Sequence, residues 1–337
     1  MIAVIGLDLA KNVFQVRGVD GHGKTVLSKK LVRAKVLTFF ANQPPCLVGM
    51  EACGGSHFWA REIEKFGHTV RQMPPQFVKP YVKTNKTDAR DAEAICEAVT
   101  RPGMRFVPTK SIEQQDVLAL HRIRERHVAA RTAVANQARG LLLELGVVIP
   151  QGIRKLRTQL PLICEDLENS LTTIERSYLY DLYAELAEKD DKIIQYDHIL
   201  ANICKDSEQC RLLMSIPGIG ILGATAIVAS IGDGKEFSNG RQLAAWLGLV
   251  PKQHSSGGKT RMQGISKRGD AYLRRLLIHG SRAVVKYSFK KTDGQSTWLN
   301  EVISRRGTHK AIAAQANKTA RIIWAVLTKG APFQAAA

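Results

Sequence analysis

The N-terminal third of the chain carries short apolar runs separated by turn signals, a pattern typical of strands. Three short strands are predicted first: over residues 2–9, through Val13, Phe14 and Val16, and through Thr25, Val26 and Leu27. The turn residues Asp20-Gly21-His22-Gly23 separate the last two strands. The three strands are therefore expected to form an antiparallel meander.

Helices and strands then alternate. Apolar spacing predicts helices over residues 35–41, 56–66 and 87–100, with strands over 46–50 and 69–73. The fourth strand ends on Glu51, and Pro74-Pro75 interrupts the chain before the last of these helices. A meander followed by alternating helices and strands predicts a mixed α/β domain over residues 1–105.

The rest of the chain follows a helical period. Between Ser111 and Leu213 glycine is scarce, and apolar residues recur at helical spacing with charges between them. Residues 146–150 are predicted to be the turn between two long antiparallel helices. We expect a helical coiled-coil and dimerisation region over 106–205, and a mainly helical C-terminal domain over 206–337.

The charge indicates a polyanionic partner. The 337 residues carry 49 Lys and Arg against 30 Asp and Glu, a net charge of +19. This surplus favours nucleic acid, because each phosphate that a cation neutralises releases a condensed counterion. A ribosomal-type protein or a protein on a membrane surface would also fit the charge alone.

Neither a membrane segment nor an export signal is expected. The apolar start is short and is interrupted by Asp8 and Lys11, and no other run fits a signal peptide or a transmembrane helix. The six cysteines are scattered without a Cys-x-x-Cys pair, which argues against structural zinc and against a disulfide framework. We expect a cytoplasmic protein with reduced thiols and no membrane partner.

Four carboxylates stand out by their positions in the N-terminal domain. Asp8 lies in the first strand and Glu51 closes the fourth, while Asp88 and Asp91 share one face of a helix whose candidate N-cap is Thr87. Singly, each has an ordinary explanation, either a strand-end turn residue or a solvated first turn favoured by the helix dipole. Together, these strand and helix positions can converge at one edge of a sheet.

Such a cluster predicts metal-dependent chemistry on nucleic acid. Mg²⁺ takes hard oxygen ligands, with Mn²⁺ as an alternative, and paired metals ~4 Å apart activate the attacking and leaving oxygens in phosphoryl transfer. The basic residues beside the acids would hold a phosphate backbone there: Lys83, Lys86 and Arg90.

A glycine-rich turn predicts a helix–hairpin–helix. The motif is Ile216-Pro217-Gly218-Ile219-Gly220, followed by Gly223-Ala224. Gly218 and Gly220 would make the tight turn, and the turn's N–H groups together with the next helix N-terminus favour a phosphate. A simple tight helical turn would need the same glycines.

A serine lies in the most basic part of the chain. Ser256 belongs to a Ser-Ser-Gly-Gly segment that we expect to be a mobile loop bounded by helices, and residues 252–291 hold eleven Lys and Arg against one acid, Asp270. The candidate phosphate contacts are Lys252, Lys259, Arg261, Lys267, Arg268, Arg274 and Arg275. A serine needs a metal or a base to attack phosphorus, which the acidic domain could supply. The alternative is that this segment is an ordinary flexible linker. His254 is expected to be a solvated loop histidine, although a phosphate contact or a proton shuttle would also fit its position.

The order of these motifs resembles one family across nearly the whole chain: the DEDD-type insertion-sequence transposases of the IS-one-ten family, in particular its IS-eleven-eleven branch, described as bridge-RNA-guided recombinases. The most specific markers are Gly6-Leu7-Asp8, Met50-Glu51-Ala52, Asn85-Lys86-Thr87-Asp88-Ala89-Arg90-Asp91-Ala92, Ile216-Pro217-Gly218-Ile219-Gly220, and Gly248-Leu249-Val250-Pro251 before Ser256-Gly257.

The resemblance implies a RuvC-like, ribonuclease-H-like N-terminal domain, a coiled-coil middle and a C-terminal transposase domain. It implies a Mg²⁺-binding Asp-Glu-Asp-Asp tetrad and a serine that forms a transient phosphoserine link to DNA. These roles fall on Asp8, Glu51, Asp88, Asp91 and Ser256, or Ser255 if the last assignment slips by one. It further implies a site completed between protomers of a homodimer or homotetramer, and a noncoding bridge RNA that pairs with donor and target DNA.

The residues themselves leave two other functions open. A RuvC-like junction nuclease would need only the carboxylates and water, so Ser256 would be dispensable. A non-catalytic nucleic-acid-binding protein would need only the basic surface and the helix–hairpin–helix.

Overall fold

The structure, a computed structural model, describes residues 1–82 and 87–334. The chain forms two compact units, Met1–Ser111 and Ile112–Ala337. The first is a mixed α/β unit and the second is mainly helical, as predicted; a further boundary near residue 205 stays a prediction. Within the described ranges, no helix has the length and apolar character needed to cross a membrane.

The first unit is built on one five-stranded sheet. Its elements are β1 (Val4–Asp8), β2 (Val13–Val19), β3 (Thr25–Val32), α1 (Val36–Ala41), β4 (Leu47–Glu51), α2 (Ser56–Glu64), β5 (Thr69–Met73), α3 (Pro75–Val78) and α4 (Asp88–Val99). The strand order is β3-β2-β1-β4-β5. β1, β2 and β3 form the predicted antiparallel meander, while β4 is parallel to β1 and β5 is parallel to β4.

The core of the first unit lies on both faces of this sheet. One cluster includes Ile5, Leu7, Phe14, Phe40, Met50, Trp59 and Ile63. The other includes Met73, Val78, Ala94, Ile95, Ala98 and Val99. The strands are thus apolar on both sides at their centres, which explains why short continuous apolar runs predicted them.

Helix α4 lies close to the sheet because strand glycines leave room for it. A Cβ at Gly6 would overlap the carbonyl oxygen of Ala92, and Gly49 in β4 gives similar room further along the helix. Cys96 follows Ala92 by one helical turn, and its Sγ lies 3.9 Å from the carbonyl oxygen of Val4. α4 therefore runs opposite to β1, and its first turn stands at the edge where β1 and β4 end.

The second unit begins with a long helix. Its elements are α5 (Ile112–Glu144), α6 (Ile153–Glu165), α7 (Thr173–Asp206), α8 (Glu208–Met214), α9 (Ile221–Ile231), α10 (Gly240–Trp246), β6 (Pro251–Ser256), β7 (Lys259–Ile265), α11 (Ala271–Tyr287), α12 (Gly294–Arg306) and α13 (Thr308–Lys329). Arg124 pairs with Asp197 at 2.6 Å and Arg131 with Asp190 at 2.8 Å. Later positions in α5 thus meet earlier positions in α7, so these two long helices are antiparallel.

The prediction that residues 146–150 alone connect the two long helices is wrong. The chain turns there but enters α6, which buries Leu156, Leu160 and Cys164. The apolar spacing of α6 is itself helical, so the sequence shows no interruption before α7. Residues 166–172 separate α6 from α7, and α7 begins with a capping box, in which Thr172 and Glu175 accept hydrogen bonds from each other's backbone N–H.

The expected mobile loop around Ser256 is also wrong. The two serines end strand β6 and the two glycines form the turn of a two-stranded antiparallel ribbon, β6 and β7. All of β6 is exposed, and so is β7 up to its last residue, Ile265. Because the ribbon buries neither face, its sequence lacks the apolar alternation that marks a half-buried strand.

Candidate active site

Asp8 and Glu51 lie at the ends of neighbouring parallel strands. β1 and β4 pair in register up to Leu7 and Met50, the residues directly before the two acids. Both acids are half-buried. Desolvation by neighbouring protein atoms raises the pKa of the Cys53 thiol, and the charges of Glu51 and Asp8 raise it further. The two carboxylates therefore act on one point at this edge.

The first turn of α4 supplies the other two predicted acids. Thr87 is the N-cap, as predicted, and its hydroxyl accepts the backbone N–H of Arg90 at 3.4 Å. Asp88 is exposed and Asp91 is half-buried. Because α4 runs opposite to β1, this turn stands at the sheet edge where β1 and β4 end. We call this set the acidic edge: Asp8, Glu51, Asp88 and Asp91.

The donor atoms of the acidic edge fit a hard divalent cation. All four side chains offer carboxylate oxygens, which Mg²⁺ and Mn²⁺ prefer. Over residues 1–82 and 87–334, no three His, Cys, Asp or Glu side chains already form a group that could hold a metal ion. Of the basic residues expected here, Arg90 is half-buried beside Asp91, and Lys83 and Lys86 lie outside the described residues.

Sequence reasoning missed Cys53 at this edge. Its side chain is exposed, and its Sγ lies 3.7 Å from the carbonyl oxygen of Gly54. The sequence offers only a weak signal for it, namely that Cys53 follows Glu51, the acid at the end of β4, by two residues.

Backbone contacts fix the base of the β6–β7 ribbon. The N–H of Ser266 donates to the carbonyl of Val250 at 2.8 Å, and that of Lys267 donates to the carbonyl of Gly248 at 3.0 Å. Gly248, with φ +70°, passes so close to Arg268 that a Cβ would overlap the Arg268 backbone. The exposed strands therefore start from a fixed frame.

The ribbon carries both serines at its end. Ser255 and Ser256 end β6, and the two-residue turn Gly257-Gly258 has φ values of +54° and +76°. Positive φ at both turn positions is typical of a type I′ hairpin and explains the two glycines. Three predicted phosphate contacts lie on the same ribbon: Lys252, Lys259 and Arg261. In the part of the chain that the structure describes, none of the three forms an ion pair with a carboxylate.

Two other predicted phosphate contacts already bind protein groups. Arg274 donates through Nη1 to the carbonyls of Leu247 and Arg268, both at 3.0 Å, and so supports the ribbon base. Arg275 pairs with Glu125 at 2.6 Å. A role in phosphate binding stays a prediction for both arginines.

The predicted hairpin turn joins α8 to α9. Gly218 has φ +88° and is packed against α11, since its Cβ would stand 2.8 Å from the carbonyl oxygen of Gly280. In return, a Cβ at Gly280 would overlap the carbonyl oxygen of Gly218. Gly220 is the N-cap of α9, where no side chain caps the first N–H groups. The turn is thus closed on the α11 side, while the start of α9 keeps donors for an anion.

A buried histidine joins three helices of the second unit, and sequence reasoning missed it. His121 of α5 contacts the Tyr272 hydroxyl at 2.9 Å and the Thr225 hydroxyl at 3.0 Å through its two ring nitrogens. Burial, with a smaller contribution from the charge of Arg124, lowers the pKa of His121 to about 4. The imidazole is therefore neutral at neutral pH, and its two contacts hold α5, α9 and α11 together.

Relatives cover the whole of this arrangement. The chain is 50% identical over 326 residues to a probable family 20 transposase of Pseudomonas aeruginosa, which covers 96% of each protein. It is 45% identical over 336 residues to the transposase for insertion sequence element IS1111A of Coxiella burnetii, covering 100% of this chain and 92% of the relative. It is 40% identical to the transposase for insertion sequence element IS1328 of Yersinia enterocolitica, covering 98% of each. The chain belongs to the IS110 family of insertion-sequence transposases.

Two family models match separate parts of this transposase. A transposase model for the DEDD proteins of the IS110 type matches residues 5–146, which include the whole acidic edge. The model described as "Transposase IS116/IS110/IS902 family" matches residues 210–295, which include the hairpin turn and the ribbon. The protein is thus a DNA-processing enzyme, of a family that generally depends on a divalent metal.

Proposed function

We propose that this transposase cuts DNA with Ser256 as the nucleophile and rejoins the strands to new partners. Mg²⁺ at the acidic edge assists the reaction, and a noncoding RNA of the element directs it to donor and target DNA. The active enzyme is a homodimer or homotetramer.

The observation that carries the proposal is the arrival of β1, β4 and α4 at one sheet edge, each bringing carboxylates. Negative charges gathered at one edge repel each other, so the arrangement costs stability unless a cation binds there. The acidic edge is the proposed metal site. When bound, the metal would polarise the phosphoryl oxygens and offset their developing charge.

The fold supports the domain roles in this proposal. An antiparallel meander with two further parallel strands beside β1 supports a RuvC-like, ribonuclease-H-like first unit. The antiparallel pairing of α5 with α7 supports a coiled-coil dimerisation region. The closed turn at Gly218 and the uncapped start of α9 support a helix–hairpin–helix that contacts nucleic-acid backbone.

The proposed chemistry conserves phosphodiester bonds. Ser256 Oγ forms a bond to phosphorus and gives up its proton to water, while the bond from phosphorus to one deoxyribose oxygen breaks and that oxygen takes up a proton. A hydroxyl of a second DNA strand then attacks the phosphoserine, and Ser256 recovers its proton. The bond energy is retained in the covalent intermediate, so rejoining needs no nucleotide cofactor.

The test uses the full-length protein with Mg²⁺, RNA transcribed from its element, and DNA that carries the joined ends of that element. We expect a protein–DNA adduct on a denaturing gel that disappears in Ser256→Ala and persists in Ser255→Ala. Chelating the metal or omitting the RNA should also remove the adduct.

Two results would overturn the assignment of Ser256 as the nucleophile. Cleavage without an adduct, unchanged in Ser256→Ala, would make the protein a metal nuclease that uses water. An adduct that disappears in Ser255→Ala and persists in Ser256→Ala would move the nucleophile by one residue.

A further inference from the structure

The β6–β7 ribbon has two chemically different faces. Directly opposed residues of an antiparallel pair lie on the same face, and alternate residues of one strand share a face. His254 is opposite Arg261 and Ser256 is opposite Lys259, whereas Gln253 is opposite Met262 and Ser255 is opposite Thr260. We call His254, Ser256, Lys259 and Arg261 the cationic face. We call Gln253, Ser255, Thr260 and Met262 the neutral face.

The two serines are therefore in different surroundings. Ser256 has Lys259 directly across the ribbon, where opposed Cβ atoms stand ~5 Å apart, well within the reach of a lysine side chain. Ser255 lies on the neutral face, where its hydroxyl accepts a hydrogen bond from Gln253 Nε2 at 2.8 Å. One hydroxyl thus lies on the face that carries the positive charges, and the other is held by an amide.

We propose that the cationic face meets the scissile phosphate, and that Lys259 binds a non-bridging oxygen of this phosphate beside the attacking Ser256 hydroxyl. The inference rests on the proposed serine function and makes Lys259 a catalytic residue of it. When Ser256 Oγ bonds to phosphorus, the non-bridging oxygens gain negative charge before the deoxyribose oxygen leaves. The ammonium group of Lys259 stabilises that charge, and Arg261, one position further along the face, binds the same or the adjacent phosphate.

The two basic side chains of the cationic face are free of internal ion pairs within the described ranges. Lys259 and Arg261 are exposed, and within the described ranges neither pairs with a carboxylate. Both charges are therefore available to DNA without breaking an internal ion pair. Apart from Ile265 at its base, which packs against the core of the second unit, the ribbon is exposed, so Lys259 and Arg261 can be changed without unfolding that unit.

The first test compares the removal of one positive charge at two places, at Lys259 on the ribbon and at Lys329 at the end of α13. We expect Lys259→Gln to slow adduct formation at saturating DNA by about 100-fold, the typical loss for one oxyanion donor. DNA affinity should change by no more than about threefold, since one phosphate contact among many is lost. Lys259→Arg should recover most of the rate. Lys329→Gln removes the same charge from the end of α13, and Thr260→Ala changes the neutral face; both should react at the wild-type rate.

The second test removes the charge from the phosphate instead. A methylphosphonate at the scissile position lacks one charged oxygen, so the penalty of Lys259→Gln should fall from about 100-fold to a few-fold on this DNA, as expected for directly coupled groups. An undiminished penalty would mean that Lys259 acts elsewhere, and would overturn the assignment.

The outcomes separate this inference from the function on which it rests. If wild type forms no adduct, or Ser256→Ala keeps it, the proposed role of Ser256 fails, and the cationic-face proposal fails with it. If Ser256→Ala loses the adduct while Lys259→Gln reacts at the wild-type rate, the serine mechanism stands and the cationic-face proposal is wrong. Circular dichroism of each variant should match that of wild type, which excludes misfolding as the cause of a lost rate.

Discussion

The acidic edge and the ribbon hold their reactive groups in opposite ways. Asp8 and Glu51 follow strand residues that are completely buried, such as Leu7 and Met50, so core packing fixes their positions. Ser256 ends a strand with no buried residue, held by the backbone ladder and by the contacts at the ribbon base. The first arrangement suits metal ligands, which need fixed geometry. The second suits a nucleophile that must reach a large substrate and then stay attached to it.

This difference implies that fold and activity are coupled differently in the two regions. At the acidic edge, changes in the supporting core should alter stability and activity together. On the ribbon, changes should alter activity alone. The first two predictions below test this contrast, and the third concerns a buried contact in the second unit; they stand in order of decreasing effect.

The largest effect is expected at the acidic edge itself. Asp91→Asn removes one proposed metal ligand and should slow adduct formation by roughly 1000-fold, since a bound metal supplies several kcal/mol of charge stabilisation. Glu97→Gln is the matched control, because Glu97 lies on the same helix but pairs with Arg101. The control should react normally, and both proteins should melt near the wild-type temperature. Wild-type rates in Asp91→Asn would remove this acid from the site.

The next effect compares two strand glycines, one from each region. Gly6→Ala forces a Cβ into the Ala92 carbonyl and should lower the free energy of unfolding by about 3 kcal/mol or more. Gly264 in β7 has nothing within 4 Å of its Cβ position, so Gly264→Ala should change the free energy of unfolding by less than about 0.5 kcal/mol. Urea denaturation measures both. Equal losses would contradict the contrast between a packed and an unpacked frame.

A smaller effect concerns pH and the second unit. The pKa of His121 is about 4 in the folded chain, below the ordinary value of 6.5. Between these values the unfolded chain binds a proton that the folded chain does not, so this contribution to stability is complete above pH 6.5 and is lost as the pH falls towards 4. Between pH 7 and 4.5 the loss should be about 2 to 3 kcal/mol.

Replacing the histidine gives the measurement. His121→Gln should flatten the pH dependence of unfolding between pH 7 and 4.5, followed by urea denaturation at each pH. His22→Gln, at an exposed position, should leave it unchanged. An unchanged slope in His121→Gln would show that another group is responsible.

Local patterns located the elements that carry the acidic edge. Apolar runs located β1 and β4, and Thr87 with its following acids located the start of α4. Neighbouring parallel strands end at one edge, so the approach of Asp8 to Glu51 followed from strand order. Cys53 was missed because its relevance depends on charges that only the folded edge brings near it.

Patterns of this kind could not predict the ribbon, α6 or the His121 contacts. The ribbon has no buried face, so nothing in its composition distinguishes a strand from a loop. α6 has the same helical period as α7, and only the short segment 166–172 separates the two helices. His121 meets Tyr272, a residue 151 positions away, and packing at that separation leaves no local signal.

The contact between Gly218 and Gly280 bears on how copies of the element decay. Each glycine excludes a side chain from the other's backbone, so an ordinary point mutation at either codon that introduces a side chain cannot be accommodated without moving the turn or α11. A genome that carries several copies therefore holds a simple marker. Copies with any other residue at either position are expected to encode an inactive enzyme, even where the acidic edge and Ser256 are intact.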